Sequence, residues 1–277
     1  MPDSQQRAAE VRRDHGTGSS TSDREIPASE CHELAPRRSA TCVLIPVLNE
    51  NGRILAQLDR MRAVEGMPDI IITDGGSTDG SMDLPGLRDR GVRTLLIKRD
   101  RGRVGAQLRI GFAYALSQGY DGVITIDGNG KDDVAAIPAF VEALRAGYDF
   151  VQASRFIAGG EAVNTPFLRW LGIRLIHAPA LSIAGGFRYT DTTSGFRAHS
   201  RRLLESPAVQ PFRDVFQNYE LLWYFNARAP RTGHRVRELP VRRAYPASGP
   251  TPTKMNAAAE MSILRELLQV VLGRFNP

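Results

Sequence analysis

The chain has 277 residues, 42% of them hydrophobic, which is long and apolar enough for one large α/β domain with appendages. Its 36 Lys and Arg against 30 Asp and Glu give a net charge of +6, too small to indicate nucleic acid but suited to an anionic ligand or a membrane surface. Cys31 and Cys42 form neither a CxxC pair nor part of a histidine cluster, so we predict neither a disulfide framework nor a zinc site.

The N-terminus lacks the apolar stretch of a secretory signal, and no run of residues approaches the length of a membrane-spanning helix. We therefore expect a cytoplasmic protein, with peripheral attachment to the inner face of the membrane as the alternative. Residues 1–38 are rich in Ser, Arg and acids and are predicted to be a disordered tail, because they carry too little apolar surface to offset the entropy of ordering.

From Thr41 onward, apolar β-branched runs alternate with amphipathic segments, which is the order of a βαβ fold. Strands are predicted at 42–45, 69–73, 93–97, in the run that ends at Asp127, and at 150–153, with helices at 52–64, 104–117 and 134–145. This order predicts an α/β fold with a Rossmann-like, mostly parallel sheet flanked by helices. Ligands of such sheets gather at the carboxyl ends of the strands, where the polar loops 49–50, 74–79 and 127–133 should lie.

Beyond Arg155 the pattern is less regular, and we expect this half to hold the acceptor of a reaction. A helix is predicted at 167–182, a polar insert at 191–197 and a loop rich in Pro, Gly and Ser at 245–253. We predict one domain over residues 39–256, followed at 257–277 by an amphipathic helix. That helix either packs on the domain or lies on a bilayer.

The apolar run 123–126 stops abruptly at Asp127, Gly128 and Asn129. A buried strand that delivers oxygen ligands to the end of a sheet can hold a divalent metal against a diphosphate. The alternative is an ordinary Asp-Gly-Asn-Gly turn with no ligand. The first interpretation indicates chemistry on a nucleotide-activated substrate.

Three segments in this order, 45–50, 74–80 and 127–129, resemble the donor half of family 2 glycosyltransferases with the GT-A fold. Two later segments, 154–156 and 193–197, are similar to those of the polyprenyl-phosphate sugar synthases, the dolichyl-phosphate mannose synthase type. The resemblance covers residues 40–255. It implies a glycosyltransferase, inverting and metal-assisted, that moves a sugar from a UDP- or GDP-linked donor.

The resemblance also implies that the first two strand-end loops cradle the nucleoside, since a base edge and a ribose need hydrogen-bonding oxygens and close backbone approach. The side chains concerned are Pro46, Leu48, Glu50, Asp74 and Ser77. Relatives often show a second acid beside Asp74, where this chain has Gly75. Asp79 lies in the same loop, and its alternative role is to cap the next helix without contacting a ligand.

By the same resemblance, Asp127 and Asn129 occupy the positions of the family's Asp-x-Asp metal motif, which implies Mg²⁺ or Mn²⁺ as cofactor. Asn129 replaces the second acid, and its amide oxygen can ligate a metal but adds no charge. Two hypotheses follow. In the first, Asp132 or Asp133 helps to hold the metal. In the second, Lys131 partly replaces the metal by neutralising phosphate.

A leaving diphosphate needs positive charge on its far side. The chain supplies Arg101, Arg103, Arg155, Arg197, Arg242, Arg243 and Lys254. Donor contact is predicted for Arg103, for Arg155 after a strand, for Arg197 in the polar insert, and for Lys254 in a loop that could close over the donor. The alternative for each is an ordinary surface cation.

A hydroxyl acceptor needs a base, whereas a phosphate acceptor is already ionised and needs less help. The candidate bases are Asp191 in the polar insert and Glu220, an acid among apolar residues. The alternative for Glu220 is a helix acid paired with an arginine. His177, His199 and His234 lack partners at metal or triad spacing and are predicted to be structural.

The acceptor is predicted to be a polyprenyl phosphate, with a soluble natural-product or polysaccharide-precursor acceptor as the alternative. Two other classes of protein stay open. A nucleotidyltransferase would release pyrophosphate, but no glycine-rich signature with an activating lysine lies near the first strand. A non-catalytic sugar-nucleotide-binding protein would bind the donor without turnover.

Overall fold

The computed structural model describes residues 24–247 and 257–277, with the side chains of the last helix from residue 263 onward. The strands are β1 (Ser29–Glu33), β2 (Thr41–Val47), β3 (Asp69–Asp74), β4 (Val92–Lys98), β5 (Gly122–Thr125), β6 (Phe150–Ser154), β7 (Glu161–Val163), β8 (Arg197–Ser200), β9 (Val236–Pro240) and β10 (Arg242–Ala244). The helices are α1 (Gly52–Arg62), α2 (Leu84–Asp89), α3 (Val104–Ser117), α4 (Ile137–Arg145), α5 (Phe167–Gly172), α6 (Ala178–Gly185), α7 (Arg201–Leu204), α8 (Glu220–Arg231) and α9 (Ala257–Val271).

Eight strands of the described residues form one sheet in the order β1-β4-β3-β2-β5-β8-β6-β9. The sheet is mostly parallel, as the sequence predicts. β1 runs antiparallel along the edge beside β4, and β8 runs antiparallel between β5 and β6. The remaining neighbours pair in parallel. The carboxyl ends of β2, β3 and β5 therefore lie side by side, and their polar loops meet at one edge of the sheet.

Alternation along β2 divides the core into two layers, because successive side chains point to opposite faces of a sheet. Cys42 and Leu44 pack with α3, α8 and α9, whereas Val43 and Ile45 pack with α1, α2 and α4. Most of the central strand residues are buried on both faces, as expected for a parallel sheet covered by helices. A separate two-stranded parallel ribbon of β7 and β10 lies outside the main sheet.

The prediction of a disordered tail over residues 1–38 is wrong for its last part. Residues 29–33 form β1, whose main chain pairs with β4 from Ser29 opposite Lys98 to Glu33 opposite Thr94. The segment has little apolar surface, but Cys31 packs against the core and the ladder satisfies the main chain. Residues 1–23 lie outside the described residues.

The predicted helix at 167–182 is present as α5, a π-helical turn at Ile173–His177 and α6, which follow one another without a break. The terminal helix α9 packs on the domain through Leu267 and Val270. In the described ranges, no helix is both long and apolar enough to cross a membrane.

Candidate functional site

The loops that follow β2 and β3 are tied together by hydrogen bonds. The Asn49 N–H donates to Ser77 Oγ (2.9 Å), and the Thr78 N–H donates to Asn49 Oδ1 (2.8 Å). Asp79 accepts from the Asn51 N–H (2.6 Å) and from Ser81 and so ties the two loops together. The following helix α2 is capped by Asp83, not by Asp79 as the alternative for this residue expected. The two loops predicted to cradle the nucleoside thus form one hydrogen-bonded rim.

The predicted nucleoside residues differ in how deeply their side chains are buried. Asp74 is buried and accepts from the N–H groups of Gly76 and Ser77 and from Ser77 Oγ (2.5 Å). Glu50 is held by Arg53 (2.9 Å), whereas Leu48 is 46% exposed and Pro46 is partly buried at the end of β2. Asp74 and Ser77 therefore shape the loop, and the exposed part of Leu48 adds apolar surface beside it.

The loop after β5 lies against this rim. Gly128 sits directly over β2, since a Cβ there would come within 3.0 Å of Val47 and 3.3 Å of Ile45. The Gly130 N–H donates to Gln57 of α1 (2.9 Å). Asp127 therefore stands at the carboxyl end of the sheet beside the predicted nucleoside loops.

The polar insert 191–197 reaches Asp127 from the other side. A Cβ on Gly195 would lie 2.2 Å from Asp127 Oδ1, closer than any side-chain atom can approach. Thr125 Oγ1 donates to the Gly195 carbonyl (2.8 Å) and fixes this approach. Only a glycine fits here, so the insert and the β5 loop build one site.

Arg243 of β10 bridges the two acids of the β5 loop. Its Nη2 donates to Asp127 Oδ2 (2.9 Å) and its Nη1 donates to Asp132 Oδ2, although the arginine is only 4% exposed. Burial alone would raise the pKa of Asp127, but the charges of Arg243 and Lys131 outweigh it and lower that pKa. Burial, together with the charge of Asp127, raises the pKa of Asp132.

A second group of cations surrounds Tyr245. The Lys131 ammonium lies 5.0 Å from the centre of the Tyr245 ring, and Arg169 of α5 donates to the Tyr245 hydroxyl (3.1 Å). Burial and the neighbouring charge of Arg243 lower the pKa of Lys131. Three positively charged residues, Lys131, Arg169 and Arg243, thus gather around Tyr245, and Lys131 and Arg243 also act on Asp127. Such a group suits an anion with more than one charge.

The oxygen atoms around Asp127 fit a divalent cation whose coordination shell is completed by phosphate oxygens of the substrate. Mg²⁺ is commonly held by one or two carboxylates together with phosphate oxygens and water. Asp127 and the half-buried Asn129 supply a carboxylate and an amide, and Asn129 Nδ2 donates to Asp127 Oδ2 (3.3 Å). Over the described ranges no three His, Cys, Asp or Glu side chains form a metal cluster.

Asp191 and Arg155 form a buried ion pair. Arg155 Nε donates to Asp191 Oδ2 (2.6 Å), Arg155 Nη2 donates to Oδ1 (3.0 Å), and Thr193 also donates to this carboxylate. Burial would raise the pKa of Asp191, but the charge and hydrogen bonds of Arg155 lower it. The geometry does not support Asp191 as a base, because the carboxylate is fully buried and already paired.

Arg155 keeps one nitrogen for another partner. Its Nη1 is buried and donates to nothing in the described part of the chain. This nitrogen is therefore available for the predicted contact between Arg155 and the sugar donor.

Arg197 is placed differently from its prediction. It is fully buried, and its three guanidinium nitrogens donate to the main-chain carbonyls of Ser194, Thr192 and Leu222. Because all three nitrogens already donate to carbonyls, Arg197 holds the polar insert 191–197 against α8. The structure does not support direct contact between Arg197 and a sugar donor. Burial lowers its pKa to about 10.

Glu220 stands at the first residue of α8. Its Oε1 accepts from the main-chain N–H groups of Gln217 and Asn218 (2.6 Å for Asn218). Burial raises the pKa of Glu220, as the prediction of a base requires, yet the carboxylate points back into its own loop. The alternative interpretation paired Glu220 with an arginine. In the structure, main-chain N–H groups take the place of that arginine.

The groove beside this loop contains Arg103. It has a volume of about 670 Å³ and is lined by residues from the loop before α3 and from the loop before α8, among them Arg101, Arg103, Asp214 and Gln217. Arg101 is paired with Asp214 (2.6 Å), whereas the side chain of Arg103 is exposed. Lys254 and the loop predicted to close over the donor lie outside the described residues.

The sequence analysis did not single out Arg169, Tyr245 or the contact of Gly195 with Asp127. Arg243 appeared there only among the general supply of cations. A usable signal was alternation within β10: Arg242 is exposed and pairs with Glu161 (3.0 Å), whereas the next residue, Arg243, points inward. Arg169 carries no comparable signal, because its partner Tyr245 is distant in sequence.

Residues 42–209 match the sequence model of glycosyl transferase family 2. The undecaprenyl-phosphate mannosyltransferase of Micrococcus luteus is 29% identical over 205 residues, which cover 72% of this chain and 81% of that protein. The polyprenol monophosphomannose synthase of Mycolicibacterium smegmatis is 27% identical over 225 residues, which cover 79% of this chain and 83% of that protein.

Among solved structures, the fold is similar to glucosyl-3-phosphoglycerate synthase from Mycobacterium tuberculosis. Its complex with Mg²⁺ and uridine diphosphate superposes with a TM-score of 0.59 at 21% identity, covering 84% of this chain and 78% of that one. A complex of the same protein with Mn²⁺, UDP-glucose and glycerol 3-phosphate gives a TM-score of 0.57 at 19% identity, over 84% and 79% of the two chains. At this identity the likeness establishes the shared GT-A fold.

Proposed function

The chain belongs to glycosyl transferase family 2, and from this premise we propose that it transfers a hexose from a nucleoside diphosphate sugar to a polyprenyl phosphate. The observation that carries the proposal is that Lys131, Arg169 and Arg243 surround Tyr245 and that Arg243 also binds Asp127, beside the rim predicted to hold the nucleoside. The names of the two curated relatives support a lipid-phosphate acceptor and make mannose the first sugar to test.

In the proposed reaction, an oxygen of the acceptor phosphate attacks the anomeric carbon of the sugar. The bond from that carbon to the donor diphosphate breaks in the same step, and the nucleoside diphosphate leaves with the electron pair. The configuration at carbon is inverted by this single in-line displacement. The product is a lipid-linked sugar phosphodiester.

The cations of the site support the departure of the diphosphate. Arg243 is fixed by Asp127 and Asp132, so its charge is preorganised, and the adjacent Lys131 is mostly buried. Charges in a partly desolvated site stabilise a developing anion more strongly than charges in water. Asp127 and Asn129 would hold Mg²⁺ or Mn²⁺, which when bound would neutralise further charge on the leaving group.

A phosphate acceptor agrees with the state of the two candidate bases. Asp191 is paired with Arg155, and Glu220 accepts hydrogen bonds from its own loop. A hydroxyl acceptor would need one of them to be free to take a proton, whereas a phosphate is already ionised at neutral pH. The buried, unpartnered Nη1 of Arg155 is a candidate contact to the donor or acceptor phosphate.

The test is transfer of radiolabelled mannose from GDP-mannose, and of hexoses from UDP-linked donors, into an organic-extractable polyprenyl phosphate product. The assay is run with Mg²⁺, with Mn²⁺ and with chelator, on wild type and Asp127→Asn. We expect one donor to be used, and Asp127→Asn to lower transfer by about a hundredfold or more.

Of the two acids proposed to help hold the metal, Asp133 is exposed and caps a helical turn, so Asp133→Asn serves as the matched control in the same loop. Asp133 caps the short helical turn at Val134–Ala136 by accepting from the Ala135 N–H (3.0 Å), and asparagine caps as well as aspartate. This variant should keep wild-type transfer. Release of pyrophosphate would identify a nucleotidyltransferase instead, and donor binding without turnover against any acceptor would identify a binding protein.

A further inference from the structure

Glu238 of β9 holds the main chain at the start of the polar insert 191–197. Its Oε1 accepts from the N–H groups of Thr190 (2.9 Å) and Asp191 (3.1 Å), and its Oε2 accepts from Thr190 Oγ1 (2.9 Å). Burial raises the pKa of Glu238, and the hydrogen bonds from the insert act against this rise. The carboxylate therefore ties an irregular segment to a strand of the main sheet.

The Thr190 hydroxyl connects Glu238 to the end of β6. Its Oγ1 lies 2.5 Å from Ser154 Oγ. A hydroxyl has one proton, and the proton of Thr190 goes to Glu238, so Ser154 donates to Thr190. Ser154 Oγ in turn accepts from the Phe156 N–H (3.1 Å). The hydrogen bonds that start at Glu238 therefore reach the residues on either side of Arg155.

The main chain at Arg155 is held from the same side of the sheet. Val241, directly after β9, donates its N–H to the Ser154 carbonyl (3.0 Å). A Cβ on Gly160 would lie 2.7 Å from that carbonyl oxygen and 2.8 Å from the carbonyl carbon of Arg155, so the backbone packs here without room for a side chain. The backbone of Arg155 is therefore fixed, and the position of its guanidinium depends on the partner of its side chain.

That partner is Asp191, whose main chain is bound by Glu238. Both carboxylate oxygens of Asp191 accept from Arg155, one from Nε (2.6 Å) and one from Nη2 (3.0 Å). Thr193 Oγ1 accepts a further bond from Nη2 (2.8 Å). These bonds give the planar guanidinium one orientation, in which the buried Nη1 has no partner in the described part of the chain. The direction of this free nitrogen is therefore set, through Asp191, by Glu238.

We propose that Glu238 is a positioning residue for the transfer reaction and acts through Asp191 on Arg155. The inference rests on the proposed function, in which Nη1 of Arg155 contacts a substrate phosphate. A guanidinium displaced by about 1 Å keeps its charge but loses its aim, which can cost about a hundredfold in rate. Glu238 is not a base in this assignment, because its oxygens accept hydrogen bonds from Thr190 and Asp191.

The first test is a double-mutant cycle between Glu238 and Arg155 in the full chain. Glu238→Ala should lower kcat/KM for sugar transfer by about tenfold to a hundredfold. Glu238→Gln should stay close to the wild-type value, because its amide oxygen can accept both N–H bonds that Oε1 accepts. In an Arg155→Lys background, Glu238→Ala should cause no further loss. Losses that add in the double variant would overturn the proposal.

The second test does not depend on catalysis. The proton on Arg155 Nε is buried and bound to Asp191, so its signal in a ¹⁵N NMR spectrum should be shifted away from those of exposed arginines and protected from exchange. The signal is assigned by its loss in Arg155→Lys. Glu238→Ala should move it toward the signals of exposed arginines, and Glu238→Gln should leave it in place. An unmoved signal in Glu238→Ala would contradict the positioning role.

Glu142→Ala is the matched control, because Glu142 is exposed on α4 in a surface ion pair with Arg145 (2.6 Å). It should leave both the kinetics and the Arg155 signal unchanged, and thermal melting curves show which variants fold. Glu238→Asp, whose carboxylate is one methylene shorter, takes the place of Glu238→Ala in both tests if the alanine variant does not fold. If the Arg155 signal responds as expected while wild type transfers sugar to no polyprenyl phosphate, the proposed function alone is refuted.

Discussion

Gly195 is the residue whose replacement reports most directly on the placement of Asp127. We predict that Gly195→Ala lowers kcat/KM for sugar transfer by about a hundredfold, because the added methyl group would lie 2.2 Å from Asp127 Oδ1 and displace the carboxylate. The measurement is steady-state kinetics with the donor identified by the transfer assay. Crystal structures of wild type and variant would show the shift of Asp127.

Gly52→Ala is the matched control for this substitution. Gly52 begins α1, and a Cβ there meets no atom within 4 Å. The variant should keep both activity and stability. An active Gly195→Ala would mean that Asp127 tolerates displacement and that the insert does not position it.

Glu220 allows the two classes of acceptor to be separated by one conservative change. A catalytic base contributes about a hundredfold to ten-thousandfold to rate. We predict that Glu220→Gln keeps kcat within about a factor of five on a phosphate acceptor, because no proton has to be removed. Glutamine retains the oxygen that accepts from Gln217 and Asn218, so the loop should be preserved.

The measurement for Glu220→Gln is kcat as a function of pH, together with thermal melting. A loss of more than a hundredfold in an otherwise folded protein would favour a base and with it a hydroxyl acceptor. In that case the raised pKa of Glu220, which burial causes, would be a catalytic property of the residue.

At the scale of elements, the ribbon of β7 and β10 delivers Arg243 to the end of the main sheet. We predict that Arg243→Gln lowers transfer by at least about a hundredfold, because the fixed charge beside Asp127 is lost. The same change leaves Asp132 buried without its partner and should cost about 3–5 kcal/mol of stability. Activity and free energy of unfolding are both measured.

A double variant separates the two effects. Arg243→Gln/Asp132→Asn removes the buried charge together with its partner, so stability should recover in part while activity does not. Arg242→Gln is the control on the same ribbon, since Arg242 is exposed in a surface ion pair with Glu161. Recovery of activity in the double variant would show that Arg243 serves the fold alone.

The sequence predicted the elements whose patterns are regular. The buried strands β2 to β6 and helices α1, α3 and α4 follow from local periodicity, and the polar loops of β2, β3 and β5 meet because parallel strands end at one edge. β1 was missed because its stability comes from pairing with β4 and its own residues are mostly polar. β8 was missed because an antiparallel strand between β5 and β6 depends on long-range pairing.

The same distinction applies to the site. Asp127 and Asn129 could be found because the strand before them ends on a recognisable motif. The roles of Arg155, Asp191 and Arg197 could not be assigned, since a charged residue in a polar motif contacts either a ligand or the chain, and only the fold decides. Arg169 and Tyr245 are separated by 76 positions, and local patterns do not report such pairs.

At the scale of the whole molecule, two buried histidines make the stability of the fold sensitive to mild acid. His199 of β8 is fully buried among Phe112, Phe150 and Phe225, with ring centroids 4.6–5.5 Å away. Burial lowers the pKa of His199 from 6.5 to about 3, and it lowers that of His177 to about 4. Both residues are neutral in the folded state at pH 5, but largely charged in the unfolded chain.

The sign of the effect follows from proton uptake. Between pH 6.5 and about 4 the unfolded state binds more protons than the folded state, so stability falls as the pH is lowered. Each such histidine contributes a slope of about 1.4 kcal/mol per pH unit well below pH 6.5. Asp191 and Asp149 have pKa values lowered below 3.8, so their stabilising contribution is lost only in stronger acid.

We therefore predict that His199→Phe, which suits the surrounding aromatic side chains, flattens the pH dependence of unfolding between pH 6 and 4.5 by up to about 1.4 kcal/mol per pH unit. The measurement is urea denaturation of both proteins across this range. Near pH 7.5, where the histidine is neutral in both states, the two proteins should differ only by the change in packing. Parallel curves for wild type and variant would mean that protonation of the carboxylates, and not of this histidine, sets the acid sensitivity of the fold.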